Sequence, residues 1–363
     1  GAHHTRFHHA IGSMHLMNKA INQIRNKGHE ISEDEAKGLK IAILLHDIGH
    51  GPFSHALEHS IASNIPHEHL SLLFMERLNE KFNGKLSLSI EIFQNKHPKQ
   101  FLHQLVSSQL DMDRLDYLKR DSFFTGVTEG NIGAERIINM LDIVDNKLVV
   151  EEKGIYSIEK FLIARRLMYW QVYLHKTVVS AENMLIKVLQ RAKELLNDGK
   201  EVYTNPYLGE FLKNNYTIND FKNNTKLLND FAELDDFDIY SSLKYWKNNP
   251  DFVLSSLSKM ILNRKLLKIK VKNTAFTASE IEIETDKFKQ SHNTTKQEVE
   301  YFIFSDKISN STYNIEKANI NILMKNGYVI DIASASDQFN IEALKKTTSK
   351  YFLCYPKLKQ SAL

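Results

Sequence analysis

Leu45-His46-Asp47-Ile48-Gly49-His50-Gly51-Pro52-Phe53-Ser54-His55 sets an imidazole beside a carboxylate at the end of an apolar run, then breaks the chain with two glycines and a proline. Upstream, Ser32-Glu33-Asp34-Glu35 reads as a capping box opening a helix through Ile41 to Leu45. Gly49 and Gly51-Pro52 are expected to stop it, which puts His46 and Asp47 at its C-terminal end. Neighbouring helix positions diverge by ~100°, but at a frayed end both side chains can turn toward one ion.

Of the sixteen histidines, twelve fall within the first seventy residues. Neutral imidazole and ionised carboxylate suit Fe, Mn, Zn or Ni. The single cysteine, Cys354, excludes a thiolate-rich structural zinc knot and any intrachain disulfide, so a metal site here reads as catalytic. Cys354 itself reads as an apolar residue near the C-terminus.

Working outward, Phe7, Ile11, Met14, Met17, Ile21 and Ile24 recur at helical spacing. Further helical patterns cover about His69 to Lys81, Lys99 to Asp121, Ala134 to Leu141 and Ser157 to Asn197. An Asn-rich stretch near Asn214 to Asn229 reads as a solvated loop, followed by helices at Asp236 to Trp246 and Asp251 to Arg264. From about Leu267 the pattern alternates, as in Ile281-Glu282-Ile283-Glu284 and Val299-Glu300-Tyr301-Phe302-Ile303-Phe304, with a turn at Gly327 before Tyr328 to Ile332. The expected fold is mainly α, a helical domain over 1–265 carrying a smaller α+β region over 266–363.

Forty-seven basic against forty-four acidic residues leave a net charge of +3, too small for a general nucleic-acid or membrane surface. No apolar run approaches the ~20 residues of a membrane helix, and no secretory segment is visible, so a cytoplasmic location is expected. An anionic partner must be met by a local pocket.

Two more strings can complete a His, His-Asp, Asp ligand set. His4-Thr5-Arg6-Phe7-His8-His9-Ala10-Ile11-Gly12 offers a histidine, and Asp111-Met112-Asp113-Arg114-Leu115-Asp116-Tyr117 offers an acid. Periodicity does not choose between His8 and His9. Asp111 and Asp116 read as capping or helix-surface acids, and His3, His15, His29 and His59 as solvent-facing or satisfied residues.

In these ordered motifs the chain resembles the HD-domain metal-dependent phosphohydrolases, and within them the deoxynucleoside triphosphate triphosphohydrolases (dGTPase-like). The resemblance runs from Gly1 to about Lys176 and more weakly through Asn263-Arg264-Lys265-Leu266-Leu267. A bare His-Asp pair is uninformative, whereas four ordered motifs including the extended string are specific. The family's Arg-Phe-x-His-x-x-Gly pattern selects His9, and the resemblance implies a metal set of His9, His46, Asp47 and Asp113. One divalent ion per site is implied: Fe, Mn, Zn, Ni or Mg.

The resemblance also assigns His50, one helical turn beyond His46, and His55 to phosphate contact and water positioning. His67 is the expected general acid, oriented by Glu68 or Glu58. Arg6, Arg114 and Arg165 match phosphate-holding positions, as a tetra-anionic triphosphate requires. Arg165, Tyr169, Tyr173 and Lys176 recur on one helix face, and Asp113, Tyr117, Arg120 and Asp121 share another. By resemblance, Tyr117 and Asp121 meet the sugar.

The implied reaction is metal-dependent hydrolysis of a deoxynucleoside triphosphate to deoxynucleoside and inorganic triphosphate. One rival is an HD phosphohydrolase acting on a monophosphate, cyclic or alarmone nucleotide, and another is a non-catalytic HD protein binding nucleotides or nucleic acid. The four cations favour a polyphosphate, and an intact proton donor argues against a pure binder. The resemblance further implies a homo-oligomer, dimer or tetramer, and a possible activating nucleotide; the charge and hydropathy pattern gives no reason to expect a membrane or nucleic-acid partner.

Overall fold

The computed structural model describes residues 2–54, 65–310, 313, 319–337 and 347–357. Its backbone contacts group the chain into two compact units, each assembled from separate stretches of sequence: Gly1–Gly49, Ser71–Tyr173 and Asn310–Thr348 in one, and His50–Leu70, Leu174–Ser309 and Ser349–Leu363 in the other.

The first unit is built on helix α1 (Arg6–Asn26), which packs against α2 (Glu33–Leu45) and the helix Met112–Thr125. Thr5 caps α1 through a capping box in which the His8 side chain is the reciprocal partner, its Nδ1 accepting from the Thr5 amide at 3.2 Å. That ties His8 to the helix entrance and turns His9 into the protein, where it is buried with Met17, Ala20, Ile21 and Ile24. Ser32 and Glu35 form the expected capping box on α2. These faces meet Leu39, Ile43, Leu115, Leu118 and Phe161 in one apolar core. Burial of such side chains contributes about 1.5–3 kcal/mol each.

The same unit contains a sheet whose hairpin the sequence reading missed, although it expected the strand after Gly327. Strands β1 (Leu141–Val144) and β2 (Lys147–Glu151) form a hairpin around Asp145 and Asn146, both at positive φ, 48° and 64°. This is the two-residue turn whose backbone matches the strand twist, and Asp and Asn tolerate it best after glycine. β5 (Asn321–Leu323) adds parallel to β2, and β6 (Val329–Asp331) antiparallel to β5 after the turn at Gly327, φ +85°.

In the second unit, helices Lys176–Asn197, Pro206–Lys213, Asp236–Trp246 and Phe252–Leu262 surround buried Met184, Val188, Leu243 and Leu257. The expected loop at Asn214 to Asn229 is instead two short helices, Ile218–Asn223 and Thr225–Ala232. Their asparagines act at the ends, Asn224 capping Leu227, while Phe221, Leu227, Leu228 and Phe231 are buried. Ring contacts among Phe211, Phe221 and Phe231, with centroids 5.6 to 6.1 Å apart, supply the tertiary driving force.

The change of pattern near Leu267 coincides with β3 (Lys268–Lys272), which pairs antiparallel with β7 (Thr348–Tyr355) in the order β3-β7-β4, where β4 is Phe304–Asn310. Ile281-Glu282-Ile283-Glu284, expected as a strand, lies in the helix Ala278–Ser291. Thr277 and Glu280 cap it, and its inner face is Glu284 and Phe288, with Glu284 ion-paired to Lys270 at 2.9 Å. Two-residue alternation was thus a by-product of a four-residue period carrying one buried charge. The fold class is mainly α with a small sheet-containing C-terminal region, as expected.

Candidate metal centre and nucleotide-binding wall

Three segments of the first unit converge: α1 brings His9, the end of α2 brings His46, and the first turn of the helix Met112–Thr125 brings Asp113. One ligand atom from each lies within 4.8 Å of the other two. His9 Nε2 is 3.0 Å and His46 Nε2 3.6 Å from the same oxygen, Asp113 Oδ1.

The other ring nitrogens determine what these can do. His46 Nδ1 is 2.6 Å from the Ile43 carbonyl, which only accepts, so Nδ1 donates and Nε2 keeps its lone pair. That Nε2 is buried and has no hydrogen-bond partner. His9 Nδ1 donates to Asp116 Oδ2 at 2.8 Å, again directing Nε2 to Asp113. Burial opposes the imidazolium of His9, yet its bonds to Asp113 and Asp116 outweigh that and push it up to about 9. His46 is likewise raised by Asp113 and Asp47 against its burial. Burial would raise the Asp113 carboxyl, and the two imidazoles instead hold it well below the usual carboxylate range. The set therefore calls for positive charge, and a divalent cation fits the donors and would use the orphaned His46 Nε2.

Asp47 stands at the rim, Oδ1 3.5 Å from His46 Nε2 and Oδ2 accepting from Arg6 Nη1 at 2.7 Å. α2 ends at Leu45 and residues 46 to 49 form a turn, so His50 is not on a continuation of that helix, contrary to expectation. The glycines release the backbone there, and the Gly49 amide is taken by Ser71 Oγ at 2.9 Å.

Beside the cluster is a wall of rings and cations. Asp111 caps the helix Met112–Thr125 and is salt-bridged to the Arg114 guanidinium, so its expected capping role holds although it is wholly buried. Asp116, expected at a surface or cap, is instead buried between His9 and Arg120. Arg165 is buried with Nη1 donating to Gln109 Oε1 at 2.9 Å. The Nε atoms of Arg114 and Arg165 are buried donors with no hydrogen-bond partner. Burial pushes the Tyr117 phenol up, with Arg165, Tyr169, Arg114 and Asp113 all acting on it. Tyr173 packs edge-on against Tyr117 and Tyr169, centroids 6.1 and 5.4 Å away, and its hydroxyl donates to Asp121 Oδ2 at 2.6 Å. His4 Nε2 meets Asp121 Oδ1 at 2.7 Å.

The single long helix expected over Ser157 to Asn197 is interrupted. An α-helix ends at Met168, a π-helical turn spans Tyr169–Tyr173, and Lys176 opens a new helix capped by His175, whose ψ of 140° is extended. Lys176 thus does not continue the face of Arg165 and Tyr173. In the second unit, His67 opens the helix His67–Lys81, its Nε2 3.6 Å from Glu68 Oε1 and its ring stacked on His50 with centroids 3.7 Å apart. His55 and Glu58 lie outside the described residues. Sequence reasoning overlooked His4, Gln109 and the Asp116–Arg120 pair, and only the Asp-x-Asp-Arg-x-Asp string hinted at one of them.

Comparison with known proteins agrees with this geometry. The HD domain family matches residues 6–121 and the HD associated region residues 132–204. A crystal structure of a phosphohydrolase from Bacteroides thetaiotaomicron superposes with a TM-score of 0.93 at 52% identity, over 98% of this chain and 88% of that one. An uncharacterized protein of Bacillus subtilis, YwfO, is 30% identical over 98% of this chain and 82% of its own length. A deoxynucleoside triphosphate triphosphohydrolase, the SAMHD1 homolog of Dictyostelium discoideum, is 31% identical over 55% of this chain and 41% of its own length. The chain belongs to the HD-domain superfamily of metal-dependent phosphohydrolases, near its deoxynucleoside triphosphate triphosphohydrolase branch.

Proposed function

We propose that the protein hydrolyses deoxynucleoside triphosphates to deoxynucleoside and inorganic triphosphate. The observation that carries this reading is the His9, His46 and Asp113 donor set standing beside two guanidinium groups, half-buried Arg114 and buried Arg165, each with a buried, unpartnered Nε. Two fixed cations of this kind suit a polyanion better than a monophosphate. The likeness to the Dictyostelium protein named as a deoxynucleoside triphosphate triphosphohydrolase supports the same choice.

In this reading His9, His46, Asp47 and Asp113 hold one divalent ion, Fe, Mn, Zn, Ni or Mg. When bound, such an ion supplies Lewis acidity and makes water a nucleophile near neutral pH. Water attacks the α-phosphorus, the bond from phosphorus to O5' breaks, and the water's proton is released to solvent. His67 gives its proton to the departing O5', with Glu68 or Glu58 orienting the ring. His50 and His55 contact phosphate and position the water. Arg6, Arg114 and Arg165 neutralise the triphosphate, while Tyr117 meets the sugar and Asp121, steadied by Tyr173, accepts from its 3'-hydroxyl. A homo-oligomer and an activating nucleotide belong to this reading by family resemblance, and a cytoplasmic location by the single cysteine and the hydropathy of the sequence; among the described residues, no helix is long and apolar enough to cross a membrane.

The test is ion chromatography of phosphate products after separate incubation with Mn, Fe, Mg, Zn or Ni and the four deoxy and four ribo triphosphates. Intact triphosphate from deoxy substrates, lost in Asp113→Ala, is expected. Release of only monophosphate or pyrophosphate would refute α-phosphorus attack.

A further inference from the structure

His9 sits on a built support. Its Nδ1 donates to Asp116 Oδ2 at 2.8 Å, and Arg120 grips the same carboxylate with both arms, Nε on Oδ2 at 2.8 Å and Nη2 on Oδ1 at 2.9 Å. Ser13 Oγ is 3.4 Å from the same ring nitrogen. Asp116 and Arg120 are four residues apart on one helix, the spacing at which side chains share a face and can pair. Above it lies Gly12: a Cβ there would stand 2.1 Å from both Arg120 Nη2 and Asp116 Oδ1. This approach accounts for a glycine inside α1, where a helix interior otherwise disfavours it by about 1 kcal/mol.

We propose that Asp116, Arg120 and Gly12 form a positioning clamp that fixes the tautomer and plane of His9, so that Nε2 alone is presented to the ion. Asp116 is a positioning residue and not a ligand: Arg120 occupies both its oxygens, and its remaining contact is His9 Nδ1. His46 needs no such device, because the Ile43 carbonyl at the end of α2 holds its Nδ1. The two imidazoles are thus oriented by different means, one by a main-chain acceptor within its own helix and the other by a carboxylate more than a hundred residues away. Outer partners of this kind typically change metal affinity about 10–100-fold when removed.

The inference rests on the reading of His9 as a metal ligand and not on the choice of substrate, so it is tested without nucleotide. Mn2+ affinity is measured by calorimetry for wild type, His9→Ala, Asp116→Ala, Arg120→Ala, the double variant Asp116→Ala/Arg120→Ala, and Gly12→Ala. Expected are losses of about 10–100-fold for Asp116→Ala, a smaller loss for Arg120→Ala that vanishes on the Asp116→Ala background, and a loss in Gly12→Ala even though alanine favours the helix. A folded Asp116→Ala protein with affinity within twofold of wild type overturns the clamp while leaving the metal site standing. Unchanged affinity in His9→Ala overturns the ligand reading and the clamp with it. Should the variants fail to fold, 15N spectra of histidine-labelled, Zn-loaded wild type decide: a retained Nδ1 proton on His9 is expected, and ligation through Nδ1 refutes the proposal.

Discussion

Asp113→Asn is the sharpest probe of the donor set, because it keeps the shape of a side chain on which two imidazoles converge at 3.0 and 3.6 Å and removes only its charge. A ligand that binds only the folded state stabilises it by RT ln(1 + [L]/Kd), about 2.7 kcal/mol at a hundredfold excess over Kd. For the first unit, about 190 residues long, each kcal/mol moves Tm by about 2–4 °C. Mn2+ at that concentration is therefore expected to raise the wild-type Tm by about 5–11 °C, and each further tenfold by another 3–5 °C. Loss of the carboxylate charge weakens affinity by about 100-fold, the equivalent of 2.8 kcal/mol. At the same metal concentration the variant then gains only about 0.4 kcal/mol, or 1–2 °C. Differential scanning fluorimetry over a metal series from micromolar to millimolar reads both curves. A wild-type Tm that does not climb with the logarithm of metal concentration, or an Asp113→Asn curve that matches it, would refute the assignment.

Arg165→Lys retains a charge but loses the planar fork that meets Gln109, and the loss of a charge-assisted contact, about 1.5–3 kcal/mol, is expected to raise the KM for a triphosphate by roughly 10–100-fold with kcat less affected; steady-state kinetics checks it. Glu35→Gln isolates a charge outside the site. Burial disfavours the Glu35 carboxylate, but Lys99 at 2.9 Å and the Ser32 amide hold its pKa below the ordinary glutamate value, so its contribution is complete above that ordinary value and disappears as pH falls through the folded pKa. The variant should be about 1 kcal/mol less stable at pH 7 and converge with wild type in acid, as urea melts at several pH values would register. Burial pushes the Cys354 thiol up to about 12, so a disulfide reagent at pH 8 is expected to leave the native protein unlabelled and to react once urea unfolds it; rapid labelling of the native protein would contradict its place in β7.

Much was legible in the chain because it was local. Thr5 and Ser32 cap helices through residues three positions on, and the apolar period of α1 buries Met17, Ile21 and Ile24 as its spacing requires. The motifs around His9, His46 and Asp113 marked ligand candidates because imidazole and carboxylate have few substitutes in such chemistry. Where local signals competed, reading by period failed: asparagine caps masked the helices around Phe221 and Phe231, and a buried Glu284 imitated strand alternation.

What only tertiary structure decided was which partner each polar atom meets. Nothing near His9 in sequence announces that Asp116 holds its far nitrogen and Arg120 holds Asp116, nor that Gly12 must lack a Cβ to let them approach. The extended backbone at His175, which separates Lys176 from the face of Arg165 and Tyr173, is equally invisible to helical spacing. Residue type and short-range period follow from the chain itself. The tautomer of a histidine and the unpartnered Nε2 of His46 follow from atoms brought together across loops, whose positions depend on packing the whole core.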